Sequence, residues 1–427
     1  MSIHKAIVSR IIVTPHPDKE VHSLAVGTVC NETVICGINI QSGTLGLYFP
    51  CELQLSKEFA EANDLIRRKD ASGKPAGGMF DINRRVRLQT FRGVKSHGFW
   101  ISVASLEKLG GDVSTLKEGD TLDIWNNISI CNKYFSARNP PKTSSKKALR
   151  KSEKFVYLFP EHKDTEQFKY NLKSFKAGDE IIITNKMEGT SQRVAKNYQF
   201  RPLKWWEKIV SKWVKVDNRE LVILNGTRRV VLNNKKNDKS YHPQDLRDKA
   251  IAKIFPYLDD HMHVYFEVVG FEGPNQPIMP RQSLAKVKEK EYKKLYPETI
   301  TYSYGHADGD FGVYVYRISY VLPSGKELDL TWDEVKDWCI LHSIPHVLEL
   351  DRFVFDGDYD ALLKRVDSFD GPDPIDKRHP MEGTCLRING SRWRCFKNKS
   401  WLYKILAGIA KEDENYSDCE EEQNIDN

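Results

Sequence analysis

Residues 186–191 are Lys-Met-Glu-Gly-Thr-Ser, and they follow the run Glu180-Ile181-Ile182-Ile183-Thr184-Asn185. A lysine that ends an apolar strand, with an acid two residues on and then a glycine, suits covalent nucleotide transfer. The amine can attack a nucleoside triphosphate, and the glycine lets backbone approach phosphate. The string alone is weak, because a strand-end lysine is ordinarily just solvated. It gains weight from four elements that follow it in order.

The first is Val264-Tyr265-Phe266-Glu267-Val268-Val269-Gly270. Side chains alternate along a strand, so Glu267 shares a face with Tyr265 and Val269. A carboxylate in such surroundings requires a metal or a cation as partner. The second is Phe311-Gly312-Val313-Tyr314-Val315-Tyr316-Arg317-Ile318, which offers a ring for stacking on a purine or else an aromatic core strand. The third is Met381-Glu382-Gly383-Thr384-Cys385-Leu386-Arg387, a second acid-glycine pair ahead of a strand. The fourth is Phe396-Lys397-Asn398-Lys399-Ser400-Trp401. In a strand its two lysines leave one face, where paired ammonium groups suit a phosphate chain and depress a neighbouring lysine's pKa. Taken alone, each of the last two also reads as a solvated charged turn.

The elements that must hold these residues differ along the chain. Expected strands at 5–13, 23–30, 33–37, 45–50, 85–90 and 98–103, punctuated by turns such as His16-Pro17-Asp18, predict a small barrel over 1–130, with an OB fold as the leading form. Its stretch 84–95 mixes bases with Phe91, as a nucleic-acid groove or a solvated edge strand would. Residues 131–154 form a linker in which Lys133, Arg138, Lys142, Lys146, Lys147, Arg150, Lys151 and Lys154 face one acid, Glu153. A second domain over 155–410 mixes strands (180–184, 222–225, 264–269, 312–319, 385–388) with helices (244–255, 332–342, 360–366), an α+β order. Within it, residues 203–215 set Trp206, Ile209, Val210 and Trp213 at helical spacing against Lys204, Lys208, Lys212 and Lys215. Such a helix either grips RNA or a partner, or packs on its own domain.

The net charge of +6 is uneven: residues 412–427 hold eight acids and no base, so 6 + 8 = +14 rests on residues 1–411. A basic body favours polyanionic partners or is simply a solvated surface. The tail from 411 is too acidic and too poor in apolar residues to order itself. No run is long and apolar enough to span a bilayer, and the first residues lack a secretory cleavage pattern. We therefore expect an intracellular, cytoplasmic protein with no membrane partner, and the basic run 146–151 also reads as a nuclear address. Eight cysteines without a CxxC pair make a zinc site unlikely to be the reason for their presence and point to reduced thiols.

Together the ordered elements resemble the covalent nucleotidyltransferases, which comprise polynucleotide ligases and mRNA capping enzymes. Residues 186–189 match motif I, 266–270 motif III, 313–318 motif IIIa, 382–383 motif IV and 397–399 motif V, while 225–229 looks like motif Ia. Two positions depart from the pattern: Asn185 stands where RNA ligases often have glutamate, and Arg317 where motif IIIa commonly has an acid. DNA ligases and capping enzymes carry an OB domain after motif V, but only 28 residues follow Lys399 here. A barrel ahead of the catalytic domain instead resembles one ATP-dependent RNA ligase family, and the His-Pro-Asp turn and the 94–99 segment look like its OB module.

The resemblance implies an α+β protein: an N-terminal OB-like β-barrel, then an ATP-grasp-like adenylylation domain of antiparallel sheets with flanking helices. It implies Lys186 as the nucleophile that becomes lysyl-AMP. Nucleotide contacts would come from Thr184, Asn185, Gly189, Arg228, Tyr316, Lys397 and Lys399, with Tyr316 stacking on adenine. Glu188, Glu267 and Glu382 would hold Mg²⁺ or Mn²⁺. The expected partner is RNA with 5′-phosphate and 3′-hydroxyl ends, a nicked duplex included, in RNA repair. A capping-type guanylyltransferase, a DNA ligase and an inactive RNA-binding relative are the alternatives. The missing C-terminal barrel disfavours the first two, and the intact lysine, acids and lysine pair disfavour the third.

Overall fold

The computed structural model describes residues 4–69, 72–73, 76–135, 158–228, 231–232 and 244–410. Most of the basic linker and all of the acidic tail lie outside them. The described residues fall into two compact units, one of residues 4–135 with 408–410 and one of residues 158–407. The architecture is the expected mixed α+β, with antiparallel sheets and few helices.

In the first unit, Ala6–Arg10 joins a four-stranded sheet with Thr121–Leu122, Leu45–Pro50 and Gly98–Ser102, and Ile12–Pro15 joins a three-stranded sheet with Leu24–Val29 and Glu32–Gly37. The expected strand 5–13 is thus broken at Ile11, which is fully buried. The bend lets one chain segment serve both sheets around a core of Val8, Leu47, Phe49, Phe59 and Phe99, the curl that an OB-like barrel needs. Two expectations shift here. Of the expected strand 85–90 only Gln89 and Thr90 fall within a strand, Gln89–Phe91, while Arg85 makes a single bridge to Gln54 and is buried with its guanidinium 4.5 Å from the Tyr134 ring centre. Residues 131–133, read as the start of the linker, form a strand paired with Leu53–Leu55.

The second unit is built on two antiparallel-rich sheets. One has the strand order Glu166–Gln167, Cys395–Lys399, Gly383–Ile388, Glu180–Lys186, Glu349–Val354. Its inner face packs Ile181, Ile183, Leu386, Ile388 and Phe396 against Phe168, Phe175, Leu362 and Val366. The other runs Arg219–Thr227, Thr190–Phe200, Met262–Gly273, Phe311–Val321, Glu327–Asp329. The eleven-residue strand Thr190–Phe200 has a polar pattern that carries no strand signature, yet it pairs along its length with Arg219–Thr227. Helix Trp332–Leu341 begins at a reciprocal cap: Thr331 Oγ1 accepts from the Glu334 N–H and the Glu334 carboxylate accepts from the Thr331 N–H.

The tryptophan-rich segment does not pack as an amphipathic helix on its domain. Trp205–Val210 is a short helix in the loop between two paired strands, its apolar side chains are exposed, and its buried residue is Glu207.

Candidate active site

An open cleft lies between the two sheets of the second unit. Register explains which residues face it. Lys186 pairs with Gly383, which pairs with Lys399, and Thr184 pairs with Cys385, which pairs with Lys397. Residues two apart share a face, so Thr184, Lys186, Cys385, Lys397 and Lys399 present one wall, while Ile181 and Ile183 turn into the core.

Lys186 and Lys399 sit on either side of Gly383, the middle member of that row. A Cβ on Gly383 would lie 2.1 Å from the Asn398 carbonyl oxygen, and its φ of +148° also favours glycine. Beside it, the buried carboxylate of Glu382 holds both lysines: Lys186 Nζ is 2.7 Å from Oε2 and Lys399 Nζ 3.4 Å from Oε1. The nucleophile candidate is thus ion-paired within its own wall.

Glu188 goes elsewhere. It is buried behind the lysine and does not line the cleft. Its backbone N–H donates to Tyr304 Oη at 2.6 Å, and Tyr403 Oη donates to its Oε2 at 2.6 Å. Burial first, and then the nearby Glu382 carboxylate, push its pKa up to about 8. Among the described residues no three His, Cys, Asp or Glu side chains group to hold a metal. The expected trio Glu188, Glu267 and Glu382 is therefore not assembled: burial takes the first and two lysines engage the third. Glu267 is half-buried and lines the cleft. One such carboxylate suits a hard cation that also takes phosphate oxygens and water.

Gly189 also corrects the sequence reading. A Cβ there would meet the Val268 carbonyl oxygen at 2.5 Å and Glu267 Cγ at 2.9 Å. The glycine is needed for strand-to-strand approach, and it does not line the cleft.

The facing wall carries Ser191, Arg228, Glu267 and Tyr316. Tyr265 pairs with Arg317 but Phe266 with Val315, which leaves Tyr316 as an extra residue, a β-bulge. The bulge aims the ring into the cleft, where its hydroxyl lies 2.8 Å from Ser191 Oγ. Arg387, from the opposite sheet, donates to the Tyr316 carbonyl oxygen at 2.9 Å and stacks over Trp332 at 4.1 Å. His162 stands edge-on to Tyr265, Tyr316 and Trp393, with ring centres 5.2, 5.5 and 6.0 Å away. Burial, then Arg317, Arg228 and Arg193, holds its pKa well below the ordinary histidine value, so it stays neutral. Arg317 is buried and bonded to Glu327 at 2.7 Å and Asp329 at 2.6 Å, which explains a base where an acid is common. Arg228 pairs with Asp164 at 3.5 Å at the cleft rim.

Asn185, beside the lysine, is pinned by backbone. Its Oδ1 accepts from the Leu348 N–H at 2.8 Å and its own N–H donates to the Leu348 carbonyl at 2.9 Å. That orientation leaves Nδ2 as a buried donor with no partner among the described residues, in the cleft wall.

Eight of the eleven residues expected from sequence thus line one cleft: Thr184, Asn185, Lys186, Arg228, Glu267, Tyr316, Lys397 and Lys399. Glu382 backs it, while Glu188 and Gly189 support it from behind. His162, Arg387 and Trp393 were missed. Arg387 sits in the quoted 381–387 stretch, but its long reach to the other sheet leaves no local signal.

Two facing sheets with three lysines on one wall and a ring on the other define a covalent nucleotidyltransferase domain. The family described as RNA ligase matches residues 179–405, 227 of 427 residues, and the chain belongs to that family. No curated protein sequence matches the chain. Among solved structures, a Naegleria gruberi RNA ligase, as a lysine-to-methionine mutant with AMP and Mn, is similar at 15% identity and a TM-score of 0.57, over 94% of this chain and 98% of that one. A lysine-to-alanine mutant of the same enzyme with ATP and Mn gives 15% and 0.56 over the same shares. The enzyme with PPi gives 15% and 0.56 over 93% and 96%. At this identity the likeness speaks to fold.

Proposed function

We propose that this chain is an ATP-dependent RNA ligase that joins 3′-hydroxyl and 5′-phosphate RNA ends through a lysyl-AMP intermediate, in RNA repair. The observation that carries the reading is the Lys186 amine in a cleft with Lys397 and Lys399 beside it and the Tyr316 ring opposite. The AMP, ATP and Mn in the similar Naegleria structures support the nucleotide and the metal.

Lys186 Nζ attacks the α-phosphorus of ATP; the N–P bond forms, the bond to the β-phosphate oxygen breaks, and pyrophosphate leaves. An ammonium cannot attack, and Glu382, 2.7 Å from Nζ, is the group within reach of the proton. Lys397 and Lys399 neutralise charge that develops on the phosphates. Mg²⁺ or Mn²⁺ at Glu267, with Glu382 once a lysine moves off it, would supply further neutralisation. An RNA 5′-phosphate oxygen then displaces lysine from the AMP phosphorus. The 3′-hydroxyl attacks the activated 5′-phosphorus, forms the phosphodiester and expels AMP. Positioning and electrostatics carry all three displacements.

The test is incubation with α-labelled ATP or GTP and a divalent cation, followed by denaturation. Label retained with ATP and absent in Lys186→Ala is the expected result. Label with GTP alone would point to capping-type chemistry, an outcome of interest because the Asn185 Nδ2 donor can serve guanine O6 as well as a ring nitrogen of adenine. No label with either nucleotide would sink the enzymatic reading.

A further inference from the structure

Six exposed apolar side chains of the second unit gather at the far end of one hairpin. The strands Thr190–Phe200 and Arg219–Thr227 pair from Gln192 with Thr227 to Phe200 with Arg219. Their near end reaches the cleft through Ser191 and Arg228. Ser191 to Phe200 spans nine residues, or roughly 30 Å at ~3.3 Å each.

At the tip, Arg201 and Asn218 close the loop by two backbone-linked hydrogen bonds of 3.0 and 2.6 Å. Helix Trp205–Val210 follows, and bonds from Ser211 N–H to Glu207 and from Val214 N–H to Val210 continue its coil. At helical pitch Trp205, Trp206, Ile209, Val210, Trp213 and Val214 cover one half of the circumference, and all six are exposed, Trp205 at 76% and Trp213 at 78%. Lys204, Lys208, Lys212 and Lys215 occupy one narrow sector beside them, and all four are exposed. Successive lysines four apart rise by about 6 Å.

The charge of the segment is one-sided. Residues 201–218 hold five bases (Arg201 and the four lysines) and two acids, Glu207 and Asp217, a balance of 5 − 2 = +3. Glu207 is buried and bonded to Arg201 Nη1 and Nη2, both at 2.6 Å, and to the Lys204 N–H at 2.7 Å. Anchoring therefore consumes Arg201, the exposed Asp217 is paired with Arg219 at 2.6 Å, and the four lysines face solvent. Exposed rings that stack on bases beside a line of cations that follows phosphates are what sequence-tolerant single-strand binding requires.

We infer that the hairpin tip 201–218 binds single-stranded RNA, gripping the strand away from the ends that are joined. The choice of polyanion rests on the RNA-joining reading above. At ~3.4 Å per stacked nucleotide, the 30 Å to the cleft corresponds to roughly nine nucleotides. The tip therefore discriminates by strand length: a strand of six nucleotides occupies the tip or the cleft but not both, and one of twenty engages both.

The test uses the full chain, the double variants Trp205→Ala/Trp213→Ala and Lys208→Ser/Lys212→Ser, and fluorescein-labelled oligouridylates of six and twenty nucleotides. None of the four side chains is buried, so unfolding temperatures should match the parent's. The tryptophan variant should bind the 20-mer at least tenfold more weakly and lose the parent's preference for the 20-mer over the 6-mer, with label uptake from ATP intact. The lysine variant should lower the slope of log K against log salt by about 1.4, since each lost phosphate contact contributes ~0.7 on a single strand. Unchanged 20-mer affinity in both variants would overturn the inference. So would intact RNA affinity together with lost binding to phosphatidylglycerol vesicles, which would make the tip a bilayer contact. Absent label uptake with length-dependent RNA binding would strike the ligase reading and leave this one standing.

Discussion

The two walls of the cleft are made differently. On the lysine wall the three strands that carry or join the lysines pair with one another without a break, the irregularity of Glu180–Lys186 lying on its other edge against Glu349–Val354, and the residues that face the cleft follow from strict alternation: Lys186, Lys397 and Lys399 stand in rows across three strands. On the tyrosine wall the key ring depends on an irregularity, the extra residue at Tyr316. In the proposed reaction the first wall would supply charge and the nucleophile, and the second a surface for the base. Regular pairing suffices to concentrate charge, whereas aiming a flat ring needs the ladder to be broken.

That contrast can be broken by substitution. The largest effect beyond loss of Lys186 itself is expected from Glu382→Gln. It removes the carboxylate that holds two lysines and receives the proton, and label uptake from ATP should fall by about 10²–10³-fold, measured in single turnover. A drop of less than tenfold would assign that proton to another acceptor. Gly383→Ala attacks the same wall through shape. With a Cβ 2.1 Å from the Asn398 carbonyl oxygen, the strand pair must shift, costing roughly 2–4 kcal/mol and lowering the unfolding temperature by roughly 5–10 °C.

The tyrosine wall should answer in binding and not in chemistry. Tyr316→Ala is expected to raise the KM for ATP by about tenfold at near-normal single-turnover rate, the loss of one stacked ring. Tyr316→Phe keeps the ring and gives up only the 2.8 Å contact with Ser191, so its KM should rise by less than about threefold. Equal damage from both would mean that the hydroxyl, and not the face, is used.

The smallest expected effect lies behind the lysine wall. The folded pKa of Glu188, about 8, lies above its unfolded value of 4.5. Between those values the folded state holds a proton that the unfolded state has lost. Its contribution to stability is complete below about pH 4.5 and declines as pH rises towards 8. Glu188→Gln removes that decline, so the parent's unfolding temperature should fall more steeply from pH 5 to 8 than the variant's. Parallel slopes would mean that Glu188 is ionised in the folded protein.

Most of the lysine wall was legible in the sequence because its chemistry is written at spacings of two, and spacing of two is a property of a strand. The placement of its glycines was not legible: Gly189 and Gly383 are each dictated by a strand packed from elsewhere in the chain, which local sequence cannot register. The polar strand Thr190–Phe200 went unseen because buried positions on both of its faces carry Gln192, Arg193 and Asn197, satisfied by tertiary partners and not by hydrophobic alternation. The helix 203–215 was visible by its period, yet periodicity does not tell whether the apolar half meets the protein's own core or something outside it.

The bulge at Tyr316 has one more consequence. In a regular strand Tyr316 and Arg317 would point to opposite faces. Here Tyr316 lines the cleft while its neighbour packs over Tyr265 at 4.5 Å and Trp393 at 4.9 Å, with Trp393 itself in the cleft wall. The ladder is continuous on both sides of that single extra residue. Removing one codon there would heal the pairing, keep Arg317 opposite Tyr265 and delete the ring proposed to stack on the base, together with its packing against His162.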